Sequence, residues 1–267
     1  MTSEARSRKP PVRFEIDGAV VTVTIDRAYV RNAVDGPTSI ALADAFRRFD
    51  ADESLAVAVL TGADGNFCAG FDLKALASED SYRVPAGVPA EGGGRGPMGP
   101  TRMQLGKPVI AAIEGYAVGG GLELAIWCDL RIAARDATLG MLNRRFGVPA
   151  IDLGTIRLPR MIGQGRALDL ILTGRAVPAD EALQIGLVDR VVHTGHALAG
   201  AQSMARDLAA FPQEGLRADR RSVLNQWSLS LEDAAAAEYR GGADVIASGE
   251  AREGARRFVE GSGRHGT

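Results

Sequence analysis

The stretch of residues 109–129, which reads VIAAIEGYAVGGGLELAIWCD, constrains this chain more than any other part of its sequence. It opens with an apolar run that is typical of a buried strand, and its last residues favour a helix. Gly119, Gly120 and Gly121 lie between them, so the predicted order is strand, glycine turn and helix. Glycines let a ligand approach the backbone, and the first N–H groups of a helix lack partners within it. The stretch therefore predicts a place for an oxygen atom that becomes negatively charged.

Glu123 falls in the first turn of the predicted helix, where its carboxylate can act on the same ligand. A structural interpretation is also open. Glycines before a helix allow it to pack closely on a strand, and an acidic residue in the first turn stabilises the helix dipole. The pattern alone does not decide between catalysis and packing.

Composition excludes several classes of function. The 267 residues are 46% hydrophobic and 24% charged, an ordinary profile with enough length for a large core. The formal net charge of -2 argues against a general nucleic-acid binder. No apolar run approaches the roughly 18 residues of a membrane span, so no membrane association is expected. Because the N-terminus, MTSEARSRKPP, is polar, we expect no export and a cytoplasmic protein.

Several patterns resemble metal or cofactor motifs, but the residues around them do not complete such a site. Cys68 and Cys128 match no metal-binding spacing, and His193 and His196 have no cysteine or acidic cluster beside them. Residues 94–99 fit G-x-G-x-x-G, but no strand precedes them and nearby prolines discourage the helix that a dinucleotide site requires. We therefore expect no resident metal or cofactor.

Alternating strand and helix patterns cover residues 12–195, after a loose tail at 1–11. In the first part they predict a hairpin at 12–17 and 19–26, a helix at 38–50 and a buried strand at 56–60. The irregular stretch at 78–98 is typical of a lid or a disordered loop. Further on they predict strands at 129–134 and 187–192, a basic loop at 144–160, and helices at 161–172 and 178–185.

Ala-rich helical patterns then run from about residue 197 to residue 259, with predicted breaks at Pro212 and at Gly241-Gly242. We place a boundary near residue 195 and expect residues 196–267 to form a helical region that makes oligomer contacts.

Four long motifs, in order, carry a resemblance to a known family. They are RNAVDG at 31–36, NFCAGFDLK at 66–74, KPVIAAIEGYAVGGGLELAIWCD at 107–129 and LTGRAVPADEALQIGLVDRVV at 172–192. Together they resemble the crotonase family, the enoyl-CoA hydratase/isomerase group. The resemblance implies an α/β fold, a crotonase-like spiral of ββα units with a C-terminal helical trimerisation region. It also implies a homotrimer or a dimer of trimers.

The resemblance implies how the substrate is held. The backbone N–H groups of Phe71 and Gly120 correspond to the pair that binds the thioester carbonyl in the family. Coenzyme A contacts correspond to Ala33 and to the segment Phe71, Asp72, Leu73 and Lys74. Lys74 meets the nucleotide end of coenzyme A or is simply a solvated surface lysine. Phe258 corresponds to an aromatic residue that packs near the adenine of a neighbouring subunit, but Gly261 replaces the basic residue that often follows it.

The catalytic carboxylates depart from the family's pattern. Glu123 corresponds to the first of the two glutamates that hydratases use, but Asn143 stands in place of the second. An amide cannot exchange a proton in the usual range, although it can orient water. We hypothesise that Asp152, in the following loop, replaces the missing acid/base. The alternative is that Asp152 fixes the loop by pairing with Arg144, Arg145 or Arg157.

The first functional expectation is an enoyl-CoA hydratase-type enzyme in fatty-acid or related acyl-CoA metabolism, with coenzyme A entering as part of the substrate. One surviving glutamate also suits an enoyl-CoA isomerase, a CoA hydrolase or a decarboxylase. A non-catalytic acyl-CoA binder is a second class. An RNA-binding relative has little support, because the sequence has no basic, aromatic-rich face.

Overall fold

Two β-sheets and the helices around them make up the computed structural model, which describes residues 9–78 and 94–261. The strands are β1 (Val12–Asp17), β2 (Val20–Ile25), β3 (Val57–Gly62), β4 (Val109–Ile113), β5 (Tyr116–Val118), β6 (Leu130–Ala134), β7 (Thr138–Gly140), β8 (Val177–Pro178) and β9 (Arg190–Val192). The α-helices are α1 (Gly36–Ala51), α2 (Leu73–Ala77), α3 (Gly120–Trp127), α4 (Gly154–Ile162), α5 (Gln164–Thr173), α6 (Ala179–Gln184), α7 (Ala197–Ala210), α8 (Gln213–Asn225), α9 (Leu231–Ser248) and α10 (Glu250–Val259). Most of the predicted irregular stretch at 78–98, and most of the predicted tail at 1–11, lie outside the described residues.

The larger sheet has the order β1-β2-β3-β4-β6-β9. In this sheet β1 and β2 pair antiparallel, through the predicted hairpin, whose Gly18 has φ +58°. The other neighbours pair parallel, and β2, β3 and β4 are buried almost throughout, as expected for a sheet covered on both faces. The hairpin and the two buried strands predicted at 56–60 and 109–113 are therefore confirmed.

The central stretch contains one strand more than the sequence predicted. After β4 the chain turns at Gly115, which has φ +54°, and β5 then pairs with β7 in a three-stranded second sheet. Only then do Gly119 and α3 follow. A three-residue strand is too short to produce a periodic pattern, so this change of sheet could not be predicted from the sequence.

The predicted basic loop at 144–160 is wrong in its second half. A 3₁₀ helix spans Leu142–Phe146, and α4 begins at Gly154. Leu158 and Ile162 are both buried and lie four residues apart, so packing of one face stabilises a helix in a segment rich in turn residues. The single helix predicted at 161–172 is also wrong, since Gly163, with φ +82°, separates α4 from α5.

The helical C-terminal part is confirmed, with different breaks. The chain does break at Pro212, but α9 runs through Gly241-Gly242 and ends at Gly249, which has φ +96°. Glycine within a helix costs only about 1 kcal/mol relative to alanine, so neighbouring turns can tolerate it. Helix α7 packs on the larger sheet through Ala197, Ala201 and Met204. The boundary near residue 195 stays a prediction.

Within residues 9–78 and 94–261, no helix has both the length and the apolar character needed to cross a membrane.

Candidate active site

A cavity of about 380 Å³ opens beside the N-terminus of α3. Polar groups gather at one part of its wall, at Gly119, Gly120, Glu123, Asn143 and Asp152. The remaining wall is mostly apolar, with side chains from Leu73, Leu76, Leu142, Phe146, Val148 and Ile151. A cavity of this size with a few convergent polar groups is suited to a small organic ligand.

The glycine turn places a free end of helix α3 on this wall. Gly119 has φ +57° and ψ -125°, a conformation that is practically restricted to glycine. Its carbonyl accepts from the N–H groups of Leu122 (3.0 Å) and Glu123 (3.2 Å), which closes the first turn. Gly120 is the first residue of the helix, so its N–H group has no acceptor within the helix.

Phe71 lies in an extended segment that pairs with Val34. The Val34 N–H donates to the Gly70 carbonyl (2.8 Å), and the Asp72 N–H donates to the Val34 carbonyl (3.0 Å). Because successive residues of an extended chain direct their backbone groups to alternate sides, the Phe71 N–H points away from Val34. A Cβ on Gly70 would lie 2.9 Å from the Gly120 nitrogen. The two predicted donor residues therefore lie close together, and both line the cavity.

Glu123 is buried on the same wall, with 2% of its surface exposed. Its Oε1 accepts from the N–H groups of Asp152 and Gly154, both at 2.9 Å. Burial, followed by the negative charge of Asp152, raises the pKa of Glu123 from 4.5 to about 7. A Cβ on Gly154 would lie 2.7 Å from Oε1, so only glycine leaves room there. The carboxyl group can therefore take up and release a proton near neutral pH.

Asp152 is equally buried, and its Oδ1 accepts from the Met98 N–H (3.0 Å) and from the Thr101 hydroxyl. Burial raises the pKa of Asp152 above its usual range. The expected pairing of its carboxylate with an arginine is not found in the described part of the chain. Arg157 donates to the main-chain oxygen of Asp152 instead (3.1 Å). The carboxylate thus ties residues 98–101 to the site.

Asn143 lies on the cavity wall beside Gly119, the first glycine of the turn. Its Nδ2 donates to the Val148 carbonyl (3.0 Å), and the Val148 N–H donates to the Asn143 carbonyl (3.2 Å). A Cβ added to Gly119 would lie 3.8 Å from the Cβ of Asn143. The amide nitrogen therefore holds the loop in place, which leaves the amide oxygen as the group able to orient a water molecule.

The residues predicted to bind coenzyme A divide into two sets. Leu73 lines the cavity together with Phe71 and Gly120. Asp72 is buried, caps α2 by accepting from the N–H groups of Lys74 (3.1 Å) and Ala75 (3.3 Å), and pairs with an arginine. Ala33 is also buried, and the Lys74 side chain is exposed. The contacts predicted for Ala33, Asp72 and Lys74 stay predictions.

Sequence reasoning missed Met98, Thr101 and Gly154. The first two lie about 50 residues before their partner Asp152, so no local spacing connects them. Gly154 follows Asp152 closely, and the glycine itself was a usable signal for a close backbone approach. Met98 is buried, and its Sδ would lie 2.6 Å from a Cβ on Gly120.

No group of three or more His, Cys, Asp or Glu residues in the described ranges could hold a metal ion. The expected absence of a cofactor stays a prediction.

Comparisons with known proteins show which family the chain belongs to. The model of the family described as enoyl-CoA hydratase/isomerase matches residues 15–265. The chain is 33% identical to an enoyl-CoA hydratase, EchA19, of Mycobacterium tuberculosis, over 94% of each chain. It is 37% identical to an (E)-benzylidenesuccinyl-CoA hydratase of Thauera aromatica, over 83% of this chain and 85% of that one.

A solved structure gives the same result. The fold superposes on an enoyl-CoA hydratase, EchA1, of Mycobacterium marinum with a TM-score of 0.87 and 38% identity, covering 94% of this chain and 96% of that one. The expected crotonase-like α/β fold is therefore confirmed, and the chain belongs to the enoyl-CoA hydratase/isomerase family.

Proposed function

We propose that this protein is a hydro-lyase that adds water reversibly across the double bond of a 2-enoyl-CoA thioester. The observation that carries the proposal is the buried Glu123 carboxyl group, whose pKa of about 7 suits proton transfer at neutral pH. It shares a cavity wall with the first N–H group of α3. The names of the relatives, two hydratases acting on CoA esters, support the same chemistry.

The N–H groups of Phe71 and Gly120 are proposed to bind the thioester carbonyl oxygen. When water adds to C3, the electrons of the double bond move towards this oxygen and an enolate forms. Fixed main-chain donors stabilise that charge without having to move, and loss of one donor typically costs about 3 kcal/mol of activation free energy.

Glu123 and Asp152 are proposed to move the two protons. Ionised Glu123 takes a proton from water as the oxygen atom bonds to C3, and protonated Asp152 supplies the proton that C2 gains. Burial raises the pKa of both carboxyl groups, which is consistent with these roles. The amide oxygen of Asn143 would orient the attacking water.

Double-bond isomerisation is the second candidate, and Asn143 favours it. Isomerisation needs only one base that carries a proton between C2 and C4, and Glu123 meets this requirement alone. The carboxylate of Asp152 already accepts two hydrogen bonds from Met98 and Thr101, which is compatible with a purely structural role. Conversion of a 3-enoyl-CoA without appearance of a 3-hydroxyacyl-CoA would support this candidate.

The apolar wall is proposed to hold a hydrocarbon acyl group. Several exposed apolar side chains on α8, α9 and α10 support self-association of the chain. The assembly is proposed to be a homotrimer or a dimer of trimers, and its location is proposed to be the cytoplasm. In such an assembly Phe258, which is exposed on α10, would approach a neighbouring subunit.

Loss of the conjugated thioester absorbance of crotonyl-CoA and longer 2-enoyl-CoA esters tests the proposal. We expect turnover by the wild type and a loss of about 10²- to 10⁴-fold in kcat for Glu123→Gln, because the amide cannot exchange a proton. Glu114→Gln is the matched control. Glu114 likewise accepts from two main-chain N–H groups, those of Gly195 (3.1 Å) and Ala197 (2.8 Å), but it does not line the cavity. Tight binding of CoA esters with no turnover of any ester would favour the non-catalytic binder.

A further inference from the structure

A buried arginine joins the two chain segments that meet beside the cavity. Arg27 is only 7% exposed. Its Nη2 pairs with Oδ2 of Asp35 (2.8 Å) and Oδ2 of Asp72 (3.1 Å), and its Nη1 donates to the Ala33 carbonyl. Its Nε donates to the Tyr29 hydroxyl (3.3 Å). The guanidinium of Arg27 thus contacts the segment that contains Ala33 and Asp35 and, at the same time, the segment that contains Asp72.

Each of the two aspartates divides its oxygens between Arg27 and a helix. Oδ1 of Asp35 accepts from the Thr38 N–H (2.9 Å) at the start of α1. Oδ1 of Asp72 accepts from the N–H groups of Lys74 and Ala75 at the start of α2. Arg27 therefore links two helix N-termini through their capping residues, and the buried charges are compensated.

The link lies next to one of the proposed oxyanion donors. Phe71 directly precedes Asp72, and the main chains of both its neighbours, Gly70 and Asp72, hydrogen-bond to Val34. The Gly120 amide is fixed by the glycine turn, but the Phe71 amide belongs to a segment followed by a helix of only five residues. Its position relative to Gly120 depends on how firmly Asp72 is held.

We propose that Arg27 is a positioning residue for catalysis, which holds the Phe71 N–H in line with the Gly120 N–H through Asp72. The inference rests on the proposed function. Arginine suits the task because its planar fork contacts two carboxylates and a carbonyl together, whereas a lysine ammonium is a single point of charge. A displacement of about 1 Å at a reacting group is enough to cost roughly 10²-fold in rate.

Arg27→Lys tests the inference, with Arg131→Lys as a matched control. Arg131 is as deeply buried, at 4% exposure, and binds the Leu187 carbonyl (2.9 Å) and Asp189 (2.8 Å) away from the cavity. The measurements are kcat, KM, the melting temperature, and the absorption shift of a bound aryl-conjugated enoyl-CoA. That shift reports polarisation of the thioester carbonyl, and it is recorded with Glu123→Gln added to prevent turnover.

We expect Arg27→Lys to lower kcat by about 10- to 100-fold, with a much smaller change in KM, and to reduce the absorption shift. Arg131→Lys should lower the melting temperature and leave both kcat and the shift unchanged. Asp72→Asn provides a second variant, since its Oδ1 still caps α2 while its amide no longer pairs with Arg27. It should act like Arg27→Lys.

An unchanged kcat and absorption shift in folded Arg27→Lys or Asp72→Asn would overturn the inference alone. An equal loss of kcat in Arg131→Lys would do the same, because it would reflect general destabilisation. A wild-type protein that neither turns over enoyl-CoA esters nor shifts the absorption of the bound ester would overturn the proposed function and the inference together.

Discussion

At the residue scale, Glu123 combines burial with a carboxyl group that must ionise. Its Oε1 is satisfied by two main-chain N–H groups, and Arg157 lies near enough to favour the charged form. Burial and Asp152 outweigh these contributions, so the pKa of Glu123 is raised. Because its pKa is raised, Glu123 stabilises the folded state less when it is ionised than when it is protonated. Residues that serve function commonly reduce stability in this way.

Glu123→Gln should therefore stabilise the protein at alkaline pH. With a folded-state pKa of about 7 against 4.5 unfolded, the native state binds the proton more tightly. This tighter binding of the proton by native Glu123 contributes fully to stability below pH 4.5, and the contribution is lost as the pH rises through about 7. Glutamine keeps the acceptor oxygen without the charge, so we expect a gain of up to about 3 kcal/mol at pH 8 and little gain near pH 5. Urea unfolding at both pH values measures it. An equal effect at the two pH values would contradict the assigned pKa.

Asp152→Asn separates the proposed proton transfer from the structural role of Asp152. Asparagine keeps an oxygen for the Met98 and Thr101 donors but cannot supply a proton. We expect kcat to fall by about 10²-fold with little change in melting temperature.

Thr101→Val is the control for Asp152→Asn. It removes the hydroxyl donor and leaves the carboxylate in place, so we expect a loss of stability of about 1–3 kcal/mol with a much smaller loss of turnover. Full turnover by Asp152→Asn would reject the proposed catalytic role and leave only the link to residues 98–101.

At the element scale, the N-terminus of α3 is the part of the site whose proposed chemistry comes from the backbone. Proline is tolerated at the first residue of a helix because that N–H has no partner within the helix. Gly120→Pro therefore removes the proposed oxyanion donor while α3 can still form. Either proline or alanine at this position pushes on the flexible Met98 side chain, so the two variants share that disturbance.

We expect Gly120→Pro to lower kcat by about 10²- to 10³-fold relative to Gly120→Ala, which keeps the N–H group. Steady-state kinetics with a 2-enoyl-CoA ester, together with circular dichroism to check folding, provide the comparison. Equal kinetics for folded alanine and proline variants would show that Gly120 donates no hydrogen bond to the transition state.

The two elements that were not predicted from the sequence, β5 and α4, were missed for related physical reasons. β5 has three residues, too few for a period, and α4 is stabilised by burial of Leu158 and Ile162 within a segment whose residues favour turns. The apolar strand β4 and the glycine turn before α3 were predictable, because local composition and backbone freedom determine them.

At the scale of the whole molecule, the last helices leave apolar side chains exposed. Leu231, Tyr239 and Ile246 lie along one stripe of α9 and are 88%, 76% and 69% exposed. Such a stripe is typical of a surface that packs against another subunit.

We expect the mass in solution to be three or six times that of one chain, by sedimentation equilibrium. Replacing Tyr239 and Ile246 by glutamate should reduce it, because charges would be buried in the contact. Arg240→Glu, at an exposed position on a different face of the same helix, should not. A monomeric wild type would contradict the proposed assembly.

The sequence by itself determined the family, through motifs that span most of the chain, and it identified Glu123 beside the glycine turn. Through the same motifs it predicted that Asn143 stands in place of the second glutamate. Local composition and spacing carry this information, because they reflect conformations that a short segment adopts by itself.

Only the tertiary structure decided what surrounds these groups. In the folded chain the Asp152 carboxylate accepts hydrogen bonds from Met98 and Thr101 and, among the described residues, does not pair with an arginine side chain. Glu123 is buried against Gly154, and Arg27 forms ion pairs with both Asp35 and Asp72. These contacts connect residues that are roughly 30 to 50 positions apart. Burial, pKa and donor alignment follow from the packing of such distant segments, which no local pattern records.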